Sequence, residues 1–323
     1  MPPTLTIWTN TLLPEAVQSR LDAGIKPHRL LISKQRAGIL SASVADPLLE
    51  EADIAFGQPD PGQLLGPSKL KWIHLTTAGY TRYDRADLRD ALRQRQVALT
   101  NSSSVFDEPC AEHVVAFMLA GARAFPEAFA NQVARGWVTD DLRRKCRLLT
   151  GQTALLLGFG AIARRVVEML QPFRMNLRAL RRSPTGKESI PVFSIAELDS
   201  HLPAADHVLN ILPSSPATDH LIGRAQFAAM KKGAIFYNIG RGTTVDQKAL
   251  IDSLNSRHVA AAFLDVTDPE PLPADHPLWS APNCFITPHS AGGHENEFDR
   301  VVDHFLANLR QYESSLPLRD RIV

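Results

Sequence analysis

The stretch Thr153-Ala154-Leu155-Leu156-Leu157-Gly158-Phe159-Gly160-Ala161-Ile162-Ala163 reads as a short buried strand that breaks at a glycine pair. A helix then restarts through Arg164-Arg165-Val166-Val167-Glu168-Met169-Leu170, and the pattern is G-x-G-x-x-A. At such a turn Gly158 permits a tight reversal, Gly160 lets the backbone approach a pyrophosphate, and the small Ala163 lets the helix sit close on the strand. The helix amino terminus adds unpaired N–H groups and the positive end of a dipole. A glycine pair alone also fits a plain tight turn, so the reading rests on strand and helix falling on the correct sides of it.

Beyond this turn the chain keeps alternating. Strands are predicted at residues 153–157, 177–180, 207–212, 234–239, 261–266 and 284–287, with a helix at 246–256 among them. That alternation predicts a doubly wound parallel sheet. Ahead of it, strands at 5–9, 30–32, 52–57, 70–75 and 97–100, with a helix at 14–23, predict a second α/β unit with a parallel sheet. Residues 108–134 read as one strongly helical segment. Its apolar residues, including Val114, Val115, Phe117, Met118, Leu119 and Phe125, surround much of the helix, as in a core helix, a domain connector or a dimer interface. Residues 295–312 carry Phe298, Val301, Val302, Phe305, Leu306 and Leu309 at helical spacing, which predicts a carboxy-terminal helix returning to the first unit. The fold class is therefore α/β, with two Rossmann-like or flavodoxin-like domains.

Composition narrows the partners. With 323 residues the chain is long enough for two cores. Apolar residues at 44% and charged residues at 21% are those of an ordinary globular protein rather than a disordered one. A net charge of +1, with no basic cluster interleaved with aromatics, gives no reason to expect nucleic acid or an anionic membrane. The three cysteines, Cys110, Cys146 and Cys284, are widely spaced and lack any C-x-x-C, so neither a disulfide framework nor a zinc site is indicated. Met1-Pro2-Pro3-Thr4-Leu5 has no basic region followed by an apolar core, and a cytoplasmic location is expected.

Three residues with chemistry fall at predicted strand ends, where open α/β sheets bind ligands. Arg241, between Gly240 and Gly242, is approachable by a small planar anion, and guanidinium holds carboxylates in bidentate fashion; pairing with a surface acid is the plain alternative. Glu270 lies in Asp268-Pro269-Glu270-Pro271-Leu272-Pro273, whose three prolines pre-set the backbone around one carboxylate. His289 follows in Thr287-Pro288-His289-Ser290-Ala291-Gly292-Gly293; imidazole at such a place also serves as a structural hydrogen-bonding group. Together with a dinucleotide turn, the three supply an anion clamp, a proton donor and a carboxylate to orient it, which is what hydride transfer to a keto acid requires.

These residues resemble the D-isomer-specific 2-hydroxyacid dehydrogenase family over nearly the whole chain. The most specific stretches are Asn238-Ile239-Gly240-Arg241-Gly242, Leu264-Asp265-Val266 with Glu270-Pro271-Leu272-Pro273 and His276-Pro277-Leu278-Trp279, and Thr287-Pro288-His289-Ser290-Ala291-Gly292. Thr77-Ala78-Gly79 and Ala111-Glu112-His113 also resemble family positions. The resemblance implies His289 as general acid or base with Glu270 as its partner, and Arg241 on the substrate carboxylate. It implies backbone N–H groups of Ala78 and Gly79 on that same carboxylate, and Asp265 on the nicotinamide side of the cofactor. Gly158, Phe159, Gly160, Ala161, Ile162, Ile239 and Gly240 are expected along the cofactor, with Leu212, Pro213 and Thr218 in the loop beside adenosine and phosphates. It further implies a nucleotide domain at 102–290 inserted in a substrate domain at 1–101 and 291–323, catalysis in the cleft between them, and a homodimer.

One departure is informative. Arg181, with Arg182 and Ser183, occupies the end of the second strand of the dinucleotide unit, about 20 residues past the glycine turn, where NAD-preferring members place an acid on the ribose hydroxyls. Charge-assisted hydrogen bonds from these residues suit a 2′-phosphate, so NADP(H) is expected in preference to NAD(H). The expected reaction is reduction of a small 2-keto acid such as glyoxylate or hydroxypyruvate. A phosphoglycerate dehydrogenase-type enzyme, with Lys71 or Arg82 meeting a phosphate, phosphite or formate oxidation, and a nucleotide-sensing corepressor-like protein are the alternatives.

Overall fold

The computed structural model describes residues 4–38 and 44–323. Residues 1–3, part of the amino-terminal stretch read above as lacking a leader pattern, lie outside the described residues. The chain forms two compact units, Met1–Phe106 with His294–Val323, and Asp107–Gly293.

The first unit holds strands β1 (Thr6–Thr11), β2 (Arg29–Ala37), β3 (Ile54–Gly57), β4 (Trp72–Leu75) and β5 (Ala98–Thr100). All pair in parallel, in the order β2-β1-β3-β4-β5. Ile54, Ala55, Phe56, Trp72 and Ile73 are fully buried, the continuous apolar pattern of parallel strands covered on both faces. One cover is the carboxy-terminal helix Glu297–Glu313, which buries Val301, Val302, Phe305 and Leu309. Its Phe305 stacks on Phe56 and Trp72 at centroid distances of 4.3 and 5.3 Å. Arg20 of the helix Glu15–Gly24 ties the two helices together through Asp299 and Asp303. Past that helix the last residues return to the sheet, where Ile322 donates its N–H to the Leu99 carbonyl at 2.8 Å.

The second unit holds β6 (Thr153–Leu157), β7 (Asn176–Arg181), β8 (Val192–Ser194), β9 (His207–Asn210), β10 (Ile235–Asn238), β11 (Ala261–Leu264) and β12 (Cys284–Ile286). Their order is β12-β11-β10-β9-β6-β7-β8, again parallel throughout. The strand order therefore reverses between β6 and β9, the place where doubly wound sheets bind dinucleotides at their carboxyl ends. Leu155, Leu157, Val208, Phe236, Ala262 and Leu264 bring these strands into one core with Leu250 and Leu254 of the helix Gln247–Asn255. Asp246 starts that helix by accepting the Ala249 N–H at 3.0 Å.

Two expectations need correction. The single helix over 108–134 is two, Ser103–Ala122 and Phe125–Val133. Ala124 takes a left-handed conformation, φ 54°, and Pro126 in the next first turn has no N–H to continue the earlier ladder. The expected burial also stops at the break, because the second helix has no buried residue. The short strand β8 went unread. Among the described residues no helix is long and apolar enough to cross a membrane.

Candidate active site

The glycine turn forms at the end of β6. Gly158 has φ +100°, a region that side chains with a Cβ rarely enter, and a Cβ there would press on the Ile211 carbonyl at 3.1 Å. Gly160 precedes the helix Ala161–Leu170 with no side chain capping its first turn, and a Cβ on Gly160 would meet nothing within 4 Å. Open space in front of uncapped N–H groups is what a pyrophosphate needs. Behind the turn Ala163, Val166, Val167 and Leu170 are buried, and Phe159 is buried beneath the Arg164 guanidinium. The neighbouring β9 and β10 loops are equally close: a Cβ on Gly240 would lie 2.6 Å from the Leu212 carbonyl. Thr218 closes the Leu212 loop by donating its hydroxyl to the Pro213 carbonyl at 2.7 Å.

β7 ends at Arg181, with Arg182 and Ser183 exposed beside it. Arg181 is not a free cation. Its Nη1 lies 3.3 Å from Oε1 of Glu188, an oxygen that also accepts the backbone N–H and the hydroxyl of Thr185. The Thr185 N–H, first among these influences, holds the Glu188 carboxyl down at about 2, so it is ionised near neutrality. Sequence reading missed Glu188, which lies seven residues past Arg181 with no periodic signal to mark it.

After β10, Arg241 donates from Nη1 to the Gly240 carbonyl at 2.6 Å and makes no ion pair among the described residues. Pairing with a surface acid, the plain alternative, is absent there. Burial lowers its pKa, opposed by the field of Glu270, so the site holds a desolvated cation without a counter-ion in contact. Such a charge is costly unless an anion meets it.

Glu270 and His289 come together. Nδ1 of His289 lies 2.7 Å from Oε2 of Glu270, and Oε1 accepts the Thr267 N–H at 3.0 Å. Burial pushes the Glu270 carboxyl up, but hydrogen bonds from His289 and Thr267 and the charge of Arg241 outweigh it and hold the pKa below the usual carboxylate range. An ionised carboxylate only accepts, so Nδ1 carries hydrogen and Nε2 is left to give or take a proton.

Asp265 is buried, and its carboxylate is engaged by the loop that carries His289. It accepts the Thr287 hydroxyl at 2.6 Å, the Ser290 N–H at 2.8 Å and the Ala291 N–H at 3.0 Å. The family resemblance implied a cofactor contact for it; this grip on the His289 turn carried no sequence signal. Ala78 and Gly79 lie in the first unit, in the loop after β4, half-buried. Their carbonyls accept from Asn101 Nδ2 and Thr77 Oγ1, while their N–H groups have no hydrogen-bond partner among the described residues. Lys71 is exposed, and Arg82 donates to Gln58 Oε1 at 3.3 Å.

Comparison with known proteins agrees with this geometry. Residues 115–291 match the family model described as D-isomer specific 2-hydroxyacid dehydrogenase, NAD binding domain. The chain is similar to glyoxylate/hydroxypyruvate reductase B of Escherichia fergusonii, 32% identical over 93% of this chain and 87% of that protein. The corresponding protein of Citrobacter koseri is 36% identical over 72% of each. Among solved structures, a D-isomer specific 2-hydroxyacid dehydrogenase from Xanthobacter autotrophicus Py2, in complex with NADPH and MES, superposes with a TM-score of 0.82. It is 26% identical, over 99% of this chain and 98% of that one. With a dinucleotide turn at the switch point of a doubly wound sheet and a histidine–glutamate pair on the same unit, the chain belongs to the D-isomer specific 2-hydroxyacid dehydrogenase family.

Proposed function

We propose that this protein reduces a small 2-keto acid, with glyoxylate and hydroxypyruvate as leading substrates, to the D-2-hydroxy acid, and prefers NADP(H). The observation that carries the reading is the 2.7 Å contact of His289 with Glu270 on the unit where Arg241 stands without a counter-ion. The turn at Gly158, Phe159, Gly160, Ala161 and Ile162 is assigned to the pyrophosphate, and Leu212, Pro213, Thr218, Ile239, Gly240 and Asp265 to the rest of the dinucleotide. Arg181, Arg182 and Ser183 are assigned to the 2′-phosphate. The bound nicotinamide supplies the hydride. Arg241 binds the substrate carboxylate in bidentate fashion and polarises the adjacent carbonyl. Ala78 and Gly79 are assigned to the same carboxylate through their N–H groups. His289 delivers the proton from Nε2 to the carbonyl oxygen, and Glu270 stabilises the charge on the imidazole and keeps the ring oriented.

Support for the substrate and the phosphorylated cofactor comes from the reductase relatives and from the NADPH complex of the Xanthobacter protein. A homodimer belongs to the same proposal, supported by Phe125, Phe129, Val133 and Trp137, all exposed at 47 to 96%. So does a cytoplasmic location, supported by three cysteines that form no disulfide among the described residues.

The test is oxidation of NADPH and of NADH against glyoxylate, hydroxypyruvate, pyruvate, bulkier keto acids and phosphohydroxypyruvate. Turnover with the small acids and NADPH supports the proposal. Preferred use of phosphohydroxypyruvate replaces it with the phosphoglycerate reading, and nucleotide binding without turnover on any acid replaces it with a sensor.

A further inference from the structure

His113 stands on the helix Ser103–Ala122, half-buried, with its ring edge-on to Phe117 at 4.4 Å between centroids. Phe117 in turn contacts Phe263 of β11 at 5.1 Å, so the imidazole is set by packing rather than left free to rotate. Its Nε2 lies 3.1 Å from the Thr287 hydroxyl and 3.7 Å from Oδ1 of Asp265.

The protons in this cluster can be assigned by elimination. Asp265, taking two backbone N–H groups, is an acceptor only, and Thr287 has one hydroxyl proton. At 2.6 Å from Oδ1, that proton goes to the carboxylate. The remaining contact of the Thr287 oxygen, with Nε2 of His113, is made by a lone pair, which requires hydrogen on Nε2. A directed chain results, from His113 to Thr287 to Asp265.

The chain ends where the catalytic turn is gripped. Asp265 accepts from Thr287 on one side of His289 and from Ser290 and Ala291 on the other. Its own carbonyl accepts the His289 N–H at 2.8 Å. His289 has φ 50°, a left-handed conformation that a residue with a Cβ keeps only when its surroundings hold it there. We infer that His113 is a positioning residue for His289, acting through the Thr287 hydroxyl and the Asp265 carboxylate to hold the turn that aims the imidazole. The inference rests on the acid–base role proposed for His289.

His113→Phe keeps a ring against Phe117 and removes the N–H, whereas His113→Gln keeps a donor in about the place of Nε2. His113→Phe lowers kcat about tenfold while the KM for NADPH stays within about twofold, and His113→Gln recovers most of the loss. Thr287→Val, which removes only the hydroxyl, reproduces that loss, and the double variant loses no more than either single one. Amide exchange at Ser290 and Ala291, read without turnover, rises about tenfold in both. Wild-type kcat and exchange in a folded His113→Phe protein overturn the inference, and so do losses that multiply in the double variant. If His113→Phe does not fold, Thr287→Val against wild type decides by the same two readings. His289→Ala, assayed alongside, separates the two proposals: its retained turnover sinks the acid–base role, while amide exchange still decides whether His113 fixes the turn.

Discussion

Glu270 meets His289 with one carboxylate oxygen, at 2.7 Å, while its other oxygen is held by the Thr267 N–H at 3.0 Å. With both oxygens engaged the carboxylate has one orientation, and so has the imidazole it accepts from. Glu270→Gln keeps the shape and removes the charge, so kcat for keto acid reduction falls about 10- to 100-fold, and His289→Ala costs about a thousandfold. Steady-state assays beside a thermal melt check both. Near wild-type turnover in a folded His289→Ala protein contradicts the assignment.

Arg241 makes a separate prediction because its charge is desolvated and unpaired among the described residues. Arg241→Ala leaves nucleotide binding in place while kcat/KM for the keto acid falls about 100- to 1,000-fold, the cost of truncating one partner of a desolvated charged contact. Arg241→Lys recovers only part, since a point charge does not match the planar carboxylate. Titration of NADPH fluorescence and keto acid kinetics together decide it. A variant that loses the nucleotide and keeps its keto acid KM contradicts the clamp.

The parts of this site legible in the sequence are those that a short stretch defines by itself. Gly158 to Ala163 carries its own turn chemistry, and past apolar strands Arg241 stands between two glycines, Glu270 between two prolines and His289 directly after one. What escaped reading depends on contacts far apart in the chain or on weak local signals. Glu188, and the grip of Asp265 on residues 287–291, show only once Thr185 and that turn fold onto the two acids. β8 is a three-residue edge strand, half-buried, too short for an alternation to show. The helix over 108–134 was read through its break because apolar residues continue past Ala122, although Pro126 stands just beyond the left-handed Ala124.

Arg181 carries the prediction for cofactor choice. Glu188 occupies one of its nitrogens and fixes the guanidinium, leaving its other donors for a ligand. Arg181→Ala weakens NADPH binding about 10- to 100-fold, the range for lost charge-assisted hydrogen bonds, and leaves NADH binding within a few-fold. Equal losses for the two cofactors sink the 2′-phosphate assignment. The loss shrinks as salt is raised, because these side chains are partly exposed.

His207 sets an acid-side stability window. It is buried, with Nδ1 on the Tyr237 hydroxyl and Nε2 on Gln152 Oε1, and burial lowers its pKa to about 4. Between that value and the unfolded value near 6.5 the unfolded chain binds the extra proton, so stability rises with pH there. Taking the pH from about 6.5 down to 4 therefore removes on the order of 3 kcal/mol from this group. His207→Gln flattens that part of the melting-temperature profile. An unchanged slope in the variant assigns the acid sensitivity to other groups.

Two glycines of the nucleotide unit separate folding from ligand binding. A Cβ on Gly242 would overlap the Thr267 carbonyl, which is backbone and has nowhere to go, so Gly242→Ala disturbs the segment leading to Glu270 and lowers stability by about 3 kcal/mol or more. Gly160 is the opposite case. Its φ of −91° suits any residue, and its Cβ direction is empty to 4 Å. Nothing in the folded chain then opposes Gly160→Ala, and its melting temperature stays at the wild-type value. Dinucleotide affinity nevertheless falls at least tenfold, because the methyl occupies the approach proposed for the pyrophosphate. Unchanged affinity in Gly160→Ala, by fluorescence titration with NADPH, would show that the phosphates bind elsewhere than on this turn.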